Sequence, residues 1–340
     1  MCFSNESWPP GEVSDMLDEG LSPTDIPGIL VGVVTDETHH TGCTVVLCPE
    51  GAAAGMEMRG MAPGSRETNL FDPLTRTEVV HGVLLSGGSA FGLAAASGVM
   101  RWLSENGYGL VTSCGRVPLV PSAVIYDLFF NQTFRLPDEQ MGYDAALAAN
   151  RGPVPQGSVG AGTGATAGKL AGIARAMKTG QGTAGLDAGR IKIAALAVAN
   201  PVGDVVDPHS GRILAGVRGL DGRTLVGALD IFRKTLSEPV PLVPNTVLGV
   251  VVTDARLTKI QAARAARMAS AGFARSLRPA STLHDGDMVF VLATGHGPAV
   301  EETVVGALGA EMLAEAIAAA AVNATGLPGC PAHRDLFGAP

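Results

Sequence analysis

The residues with the clearest potential for chemistry are Asn245 and Thr246, which come directly ahead of an apolar run that ends at Thr253. A threonine hydroxyl is a weak nucleophile unless a neighbouring base takes its proton. Cleavage of the bond between Asn245 and Thr246 would give Thr246 a free α-amine beside its own hydroxyl, and that amine can act as the base. These residue types therefore indicate a hydrolase that makes its own active site by cutting its chain.

Two carboxylates follow in the segment Asp285-Gly286-Asp287, which again precedes an apolar run. Asp-Gly is common in turns, so a structural turn is one interpretation. The other is that the carboxylates bind a cation or an amine, such as the one that cleavage ahead of Thr246 would release. A metal ion needs more oxygen ligands than this segment offers, and we expect neither a metal nor a cofactor.

Two polar residues lie in or at the end of apolar runs, and each has two interpretations. Asn200 is followed by Pro201, so it either forms an Asn-Pro turn or donates its amide to the oxyanion of a tetrahedral intermediate. Tyr126 is either a core residue or one whose polar end reaches a substrate or the oxyanion.

A glycine-rich loop covers residues 157–169 and contains the pattern G-x-G-x-x-A at Gly162, Gly164 and Ala167. The pattern alone is weak evidence for nucleotide binding. The loop is not a P-loop, because Leu170 follows Lys169 where Ser or Thr is needed. Close backbone packing by glycine is the structural interpretation, and a third is that the loop places Lys169 at an active site.

The composition limits the class of protein. The chain has 340 residues, of which 46% are hydrophobic and 4% aromatic, with 45 Gly and a net charge of −8. The negative charge argues against a general nucleic-acid binder, and the five Cys residues form no C-x-x-C pair. The acidic N-terminal segment is unlike a signal peptide, and the most apolar run, residues 313–322, is too short to span a bilayer. We expect a cytoplasmic protein with no nucleic-acid or membrane partner.

Periodicity predicts the elements that must position these residues. Strands are predicted at residues 29–35, 44–48, 81–85, 190–200, 246–253 and 288–292. Helices are predicted at residues 90–103, with Ser89 as N-cap, and at 142–149, 257–277 and 300–324. The loop 157–169 is predicted to enter a helix, and residues 218–244 to form an irregular connector. This mixed order favours a layered α/β sandwich over a doubly wound sheet.

Several segments together resemble the DmpA family, which contains the L-aminopeptidase/D-esterases, the β-peptidyl aminopeptidases and the nylon-oligomer hydrolases. The resemblance runs from about residue 26 to the C-terminus. The segments that carry it are Leu-Ser-Gly-Gly-Ser-Ala-Phe-Gly-Leu at 85–93, Ser-Ala-Val-Ile-Tyr-Asp at 122–127, residues 160–169, Asn-Pro-Val-Gly at 200–203, Asn245-Thr246 and Asp285-Gly286-Asp287.

The resemblance implies roles for the residues that match the family's motifs. Thr246 matches the nucleophile, and its bond to Asn245 matches the site of self-cleavage. Asp285 and Asp287 match the two residues that hold the amine and hydroxyl of the nucleophile. The aminopeptidase branch has Ser at the first of these positions, so Asp285 is more similar to the nylon-oligomer branch.

Three more residues match the family's site. Asn200 matches the oxyanion donor, and Tyr126 and Lys169 match pocket residues that assist binding or stabilise the transition state. The resemblance implies an amide hydrolase that acts on N-terminal aminoacyl amides, small peptides or 6-aminohexanoate oligomers.

The implied fold is a four-layer αββα sandwich, similar to that of the N-terminal-nucleophile hydrolases but with different strand connectivity. Residues 1–27 would form an N-terminal arm and residues 28–340 one hydrolase domain. Self-cleavage would give an α chain, residues 1–245, and a β chain, residues 246–340, which stay associated. The family assembles into tetramers or larger rings, so a homo-oligomer is expected.

Three alternatives remain open from the sequence. The substrate of the same fold could be a pantetheine-type amide. The chain could instead be a non-catalytic α/β protein that binds a nucleotide or small ligand through residues 157–169. It could also be a processed scaffold that has lost catalysis.

Overall fold

The structure, a computed structural model, describes residues 18–131, 134–234 and 244–338. Its strands are β1 Asp18–Glu19, β2 Leu30–Asp36, β3 Thr41–Met58, β4 Ser65–Arg66, β5 Val79–Ser86, β6 Leu110–Thr112, β7 Gly115–Val117, β8 Ser122–Val124, β9 Thr166–Ala167, β10 Met177–Lys178, β11 Gln181–Asp187, β12 Lys192–Asn200, β13 Asp204–Val206, β14 Ile213–Ala215, β15 Val217–Arg218, β16 Leu225–Val226, β17 Thr246–Thr253, β18 Leu277–Arg278 and β19 Met288–Ala293. Its α-helices are α1 Ala95–Glu105, α2 Glu139–Ala148, α3 Ala228–Lys234, α4 Lys259–Ala269, α5 Ala271–Ser276, α6 Glu302–Val322 and α7 His333–Phe337. Short 3₁₀ turns cover Pro23–Asp25, Thr68–Phe71, Ser89–Ala94, Gly160–Gly162, Lys169–Ala171 and Ile173–Arg175.

The described elements form four layers, with helices outside two layers of strands. One β layer contains β11, β12, β17, β19 and the second half of β3. The other contains β2, the first half of β3, β5 and β8. Helices α4, α5 and α6 pack on the first layer, and α1 and α2 pack on the second. The αββα sandwich expected from the sequence is confirmed.

The strand β17 shows why the central strands are continuous apolar runs. Every residue of β17 is buried. Val247 and Val251 face the helices, whereas Leu248 and Val250 face the other β layer. Because alternate side chains of a strand point to opposite faces, a strand covered on both sides needs apolar residues at almost every position.

The long strand β3 belongs to both β layers. Its first half pairs with β2 and β5, and its second half pairs with β19. The register with β5 shifts between Leu47 and Ala52, and Gly51 has a φ of 94° in this interval. The predicted strand 44–48 is therefore only part of β3, because Pro49 and Gly51 mark a bend of the strand and not its end.

The other predicted strands are confirmed with small shifts at their ends. Residues 246–253 are β17, and the predictions 29–35, 81–85, 190–200 and 288–292 fall on β2, β5, β12 and β19. The connector predicted for residues 218–244 is more regular than expected where it is described, since it contains β16 and α3. Residues 235–243 of that connector lie outside the described residues.

Three predictions about helices are wrong. Ser89 is not an N-cap, because it lies inside a 3₁₀ turn with a φ of 54°, and α1 begins only at Ala95. The backbones of Gly87 and Gly92 touch here, since a Cβ at Gly92 would lie 1.9 Å from the carbonyl oxygen of Gly87. No α-helix follows the glycine-rich loop, where Lys169–Ala171 is a single 3₁₀ turn. The predicted helix 257–277 is two helices that divide at Ser270.

Strand β1 and helix α6 pack on the first β layer. Residues 1–17 of the predicted N-terminal arm lie outside the described residues. The rest of that segment contacts the folded body, because β1 pairs with β11 and both Thr24 and Ile26 are buried. Helix α6 has the length and composition of a membrane-spanning helix, but 67% of its most apolar window is buried inside the protein. It is therefore a core helix.

Glycine allows helices to approach the sheet closely, and this sets a stability prediction. A Cβ at Gly182 on β11 would lie 2.3 Å from the backbone nitrogen of Ala320 and 2.4 Å from the carbonyl oxygen of Ala316 on α6. Gly182→Ala should therefore lower the free energy of unfolding by about 1–3 kcal/mol through overpacking. Urea denaturation measures this change.

The matched control is Gly227→Ala, because a Cβ there would find its nearest neighbour at 3.5 Å. This substitution should change the free energy of unfolding by less than about 0.5 kcal/mol. Equal effects of the two variants would contradict the close-packing explanation.

Candidate active site

Thr246 is the first residue of β17, which lies between β12 and β19. Its side chain points to the same face as those of Leu248 and Val250, which fill the space between the β layers. Thr246 is only 4% exposed, so it lies at the edge of that space. Its hydroxyl donates a hydrogen bond to the carbonyl oxygen of Asn245. The nucleophilic atom predicted from the sequence is therefore held against the peptide bond that precedes it.

The loop ahead of β19 holds the same peptide bond. Gly286 donates its N–H to the Asn245 carbonyl oxygen at 3.0 Å, and Asn245 donates its own N–H to the carbonyl oxygen of His284 at 3.2 Å. A Cβ at Gly286 would lie 2.8 Å from the Thr246 hydroxyl oxygen and 3.0 Å from the carbonyl oxygen of Ala62. Only glycine allows this approach, which brings a backbone donor to the Asn245 carbonyl.

The carboxylates of Asp285 and Asp287 are buried on either side of this glycine. Asp287 accepts hydrogen bonds from the backbone N–H of Val247 at 2.8 Å and of Ser281 at 2.9 Å, so it ties the loop to β17. Asp285 accepts one from the N–H of Thr282 at 2.7 Å through Oδ2. Its buried Oδ1 finds no hydrogen-bond partner among the described residues, which leaves this oxygen for a further donor.

The charge of Asp285 affects the protonation of Asp287. Burial raises the pKa of Asp287 well above its usual range, and the negative charge of Asp285 raises it further. The backbone hydrogen bonds from Val247 and Ser281 oppose that rise only in part. Like charges in one buried site cannot both ionise freely, so Asp287 tends to retain its proton.

Asn200 lies directly opposite Thr246 in the antiparallel pair of β12 and β17. Residues paired in this way project their side chains to the same face. The Asn200 Oδ1 accepts hydrogen bonds from the Thr166 N–H at 3.0 Å and from the Lys169 ammonium at 2.9 Å. Its Nδ2 donates to the carbonyl oxygen of Tyr126 at 3.1 Å. The side chain is thus fixed, and its amide group has a second N–H.

Lys169 is fully buried beside Asn200. Its Nζ donates to the carbonyl oxygen of Thr166 at 2.6 Å, to the Thr166 hydroxyl at 3.2 Å and to the carbonyl oxygen of Asn200 at 3.2 Å. Burial lowers the pKa of Lys169 to about 7, and the negative charge of Asp285 opposes that shift. An amine with this pKa can change its charge near neutral pH.

Tyr126 reaches the group through its backbone. The carbonyl oxygen of Tyr126 accepts the Asn200 hydrogen bond, and its ring packs edge-on against Phe129 at a centroid distance of 5.3 Å. The structure therefore brings together Thr246, Asn245, Asp285, Asp287, Asn200, Lys169 and the backbone of Tyr126.

The glycine-rich loop matches its structural interpretation and also places Lys169. A Cβ at Gly162 would lie 2.3 Å from the backbone nitrogen of Gln181, and one at Gly160 would lie 2.2 Å from the Thr44 hydroxyl oxygen. Glycine here permits close packing of backbones. The strand-to-helix context that a dinucleotide site requires is not found in the described part of this loop.

Sequence reasoning missed two groups of the site. Thr166 binds both Asn200 and Lys169, yet no motif marks a threonine in a glycine-rich loop. The N–H of Gly286 is a backbone group, and only the turn between two aspartates indicates it. Within residues 18–131, 134–234 and 244–338 there is no group of three or more His, Cys, Asp or Glu side chains that could hold a metal ion.

The lowered pKa of Lys169 generates a pH prediction. The folded chain releases this proton near pH 7, whereas the unfolded chain holds it up to about pH 10.5. Because the unfolded state binds more protons in that window, stability should rise from about pH 7 to about pH 10.5. Lys169→Met should lose this part of the rise.

Urea unfolding of both proteins at roughly pH 6, 8 and 10 measures this effect. These pH values span the range in which Lys169 is protonated in the unfolded chain but not in the folded one. The free energy of unfolding of wild type should rise with pH relative to that of Lys169→Met. A difference that stays constant would show that Lys169 keeps its ordinary pKa in the folded chain.

Comparisons with known proteins identify the family of the chain. The profile of Peptidase family S58 matches residues 22–334. An uncharacterized aminopeptidase of Mycobacterium tuberculosis (strain ATCC 25618 / H37Rv) is 41% identical in an alignment of 347 positions, which covers 93% of this chain and 98% of the relative. A 6-aminohexanoate-oligomer endohydrolase of Paenarthrobacter ureafaciens is 34% identical over 275 residues, which cover 79% of this chain and 74% of the relative.

The fold has solved counterparts. The L-aminopeptidase D-Ala-esterase/amidase from Ochrobactrum anthropi, described as a variant of the Ntn hydrolase fold, aligns with a TM-score of 0.65 at 20% identity, over 91% of this chain and 88% of that one. The family match extends over nearly all the described residues. The chain therefore belongs to Peptidase family S58 and is a hydrolase of amide or peptide bonds.

Proposed function

We propose that Thr246 is the nucleophile of this hydrolase and that the chain activates itself by cleaving the bond between Asn245 and Thr246. The observation that carries the proposal is the double hold on one carbonyl. The Thr246 hydroxyl and the Gly286 N–H both donate to the Asn245 carbonyl oxygen. A carbonyl polarised by a backbone donor next to a hydroxyl is arranged for attack by that hydroxyl.

Self-cleavage proceeds in two steps. The Thr246 oxygen bonds to the Asn245 carbonyl carbon, the hydroxyl proton passes to the departing backbone nitrogen, and the carbon–nitrogen bond breaks to leave an ester and a free amine. Water then hydrolyses the ester, which returns the Thr246 hydroxyl and leaves a carboxylate on Asn245. Gly286 stabilises the negative charge on the carbonyl oxygen in both steps.

Turnover uses the amine that cleavage releases. An α-amine has an unperturbed pKa of about 7.7–8.0, so it can accept the Thr246 hydroxyl proton near neutral pH. The free Oδ1 of Asp285 is the acceptor for the resulting ammonium. The second N–H of Asn200, directly across from Thr246, supports the oxyanion. The Thr246 oxygen bonds to the substrate carbonyl carbon, the ammonium gives its proton to the leaving nitrogen, and the carbon–nitrogen bond breaks to leave an acyl ester on Thr246. Water then hydrolyses that ester, which releases the acyl group as a carboxylate and restores the Thr246 hydroxyl.

The two fragments should remain one folded body. The β chain contributes β17 and β19, which pair with β12 and β3 of the α chain. Cutting one peptide bond leaves these ladders and the apolar packing on both faces of β17 in place. An association into homo-oligomers is part of the same proposal.

The proposed substrates are N-terminal aminoacyl amides, small peptides and amide oligomers such as those of 6-aminohexanoate. The names of the aminopeptidase and endohydrolase relatives support these classes. A panel of p-nitroanilides, β-aminoacyl amides, 6-aminohexanoate oligomers and a pantetheine amide distinguishes them by kcat/KM.

Self-cleavage at Thr246 leads to a prediction about processing. Wild type should yield two fragments, one of which begins Thr-Val-Leu-Gly, whereas Thr246→Ala should remain a single chain because it lacks the attacking oxygen. Thr246→Ser keeps a hydroxyl and should still be cleaved. Intact mass and N-terminal sequencing measure these outcomes.

Thr253→Ala is the matched control, because Thr253 is a buried threonine at the other end of β17. It should be cleaved like wild type. The scheme fails if wild type stays intact and still hydrolyses amides.

The role of Asn200 at the oxyanion leads to a prediction about turnover. Asn200→Ala should lower kcat by about 10²–10³-fold, the usual effect of losing one oxyanion donor, with a smaller change in KM. Rates are normalised to the amount of β chain, so that slower processing does not enter the comparison. Asn106→Ala removes an exposed asparagine that binds only the end of α1 and should leave kcat unchanged. Equal kcat values for Asn200→Ala and wild type would remove Asn200 from the mechanism.

A further inference from the structure

A second lysine, Lys178, is buried beside the candidate site and has no part in the steps above. It is the last residue of β10 and is fully buried. Its Nζ donates hydrogen bonds to the carbonyl oxygens of Gly162, at 3.1 Å, and of Thr179. A buried ammonium group is unfavourable unless its contacts compensate for lost hydration. Core packing alone does not explain a lysine here, since an apolar side chain of the same length would fill the space.

The contacts of Lys178 lead directly to the site. In the pair of β9 and β10, Lys178 lies opposite Thr166, and the next residue, Thr179, donates its N–H to the carbonyl oxygen of Ala165 at 3.1 Å. The strand β10 therefore holds the residue beside Thr166, while the ammonium group of Lys178 holds Gly162 in the same loop. Thr166 in turn donates its N–H to Asn200 at 3.0 Å and accepts the Lys169 ammonium at 2.6 Å. A shift of the loop would therefore move both Asn200 and Lys169.

We propose that Lys178 is a positioning residue, which fixes the glycine-rich loop so that Thr166 keeps Asn200 and Lys169 in place for hydrolysis at Thr246. This inference rests on the proposed function of Thr246. Lys178 acts through Thr166 and touches no reacting atom.

The charge of Lys178 gives the proposal a distinctive signature. The ionisable groups that face Lys178 are Cys330, Asp127 and Lys169. Burial lowers the pKa of Lys178 itself to about 7. When Lys178 is protonated, its positive charge adds to the effect of burial in lowering the pKa of Lys169. Removing that charge should raise the pKa of Lys169, so a step that depends on the protonation of Lys169 moves to higher pH. A residue that only fills space would not produce this shift.

The test compares Lys178→Met, which keeps the length but loses the charge and donors, with Lys178→Arg, which keeps both. Lys178→Met should slow the appearance of the two fragments by at least about tenfold and lower kcat per β chain by at least about tenfold, with KM changed less than about twofold; losses of this size are expected when catalytic groups are misplaced. The pH profile should move to higher pH, and Lys178→Arg should recover part of the rate.

Lys259→Met is the matched control. Lys259 is also buried and donates to the Thr75 hydroxyl and carbonyl oxygens, but it lies on α4, beyond the far end of β17. It should process and turn over like wild type. Equal losses in Lys259→Met and Lys178→Met would overturn the proposal, as would wild-type rates in Lys178→Met. Failure of Lys178→Met to fold while Lys259→Met folds would also overturn it, because Lys178 would then be a general core residue.

A second measurement does not depend on catalysis. In the background of Thr246→Ala, ¹³C-lysine NMR titration follows Lys169 with and without Lys178→Met. The titration midpoint of Lys169 should rise in the double variant, and an unchanged midpoint would overturn the inference. Absence of cleavage in wild type would contradict the proposed function alone, since this titration would still test Lys178.

Discussion

The hydrogen bonds to the Asn245 carbonyl oxygen are the constraint on which the rest of the site depends. One donor is the hydroxyl at the start of β17, and the other is the N–H of Gly286 ahead of β19. These strands are parallel neighbours, so their first residues meet at the same edge of the sheet. The positions of the two donors are therefore fixed by two central strands, whose register is set by apolar side chains on both faces.

Buried charge is the second theme of the site. Asp285, Asp287, Lys169 and Lys178 are almost fully buried, and most of their partners are backbone groups. In a region of low dielectric, each such hydrogen bond is stronger than in water and each missing partner is more costly. Backbone donors and acceptors also cost no side-chain entropy to fix. Burial thus shifts the pKa values of Asp287, Lys169 and Lys178 toward their neutral forms.

The parts of the site that could be predicted from the sequence are those encoded locally. Thr246, Asn200 and Asp287 each adjoin a long apolar strand, so their places at strand ends followed from the pattern. The contacts of Thr166 could not be predicted, because they depend on the pairing of β9 with β10 and on a hydrogen bond to the side chain of Asn200 at the end of β12. The local sequence pattern does not indicate either of them. Ser89 shows the opposite error. Serine is a common N-cap residue, so the sequence predicts a cap there, but contacts between glycines impose a 3₁₀ turn.

The same distinction applies to the sheet. The apolar runs predicted individual strands, but the sharing of β3 between the two layers depends on its register with β5 and β19. A break was expected at Pro49 and Gly51 because these residue types usually end strands. The strand continues because its hydrogen-bond partners change from one layer to the other at that point.

This shared strand has a mechanical consequence. Two separate sheets could slide or move apart, but here the backbone of β3 joins the two layers along one side. Any widening between them must pivot about the corner at Gly51, and the opposite rim would then move most. If a large molecule enters between the layers, they must therefore rotate about this one bend.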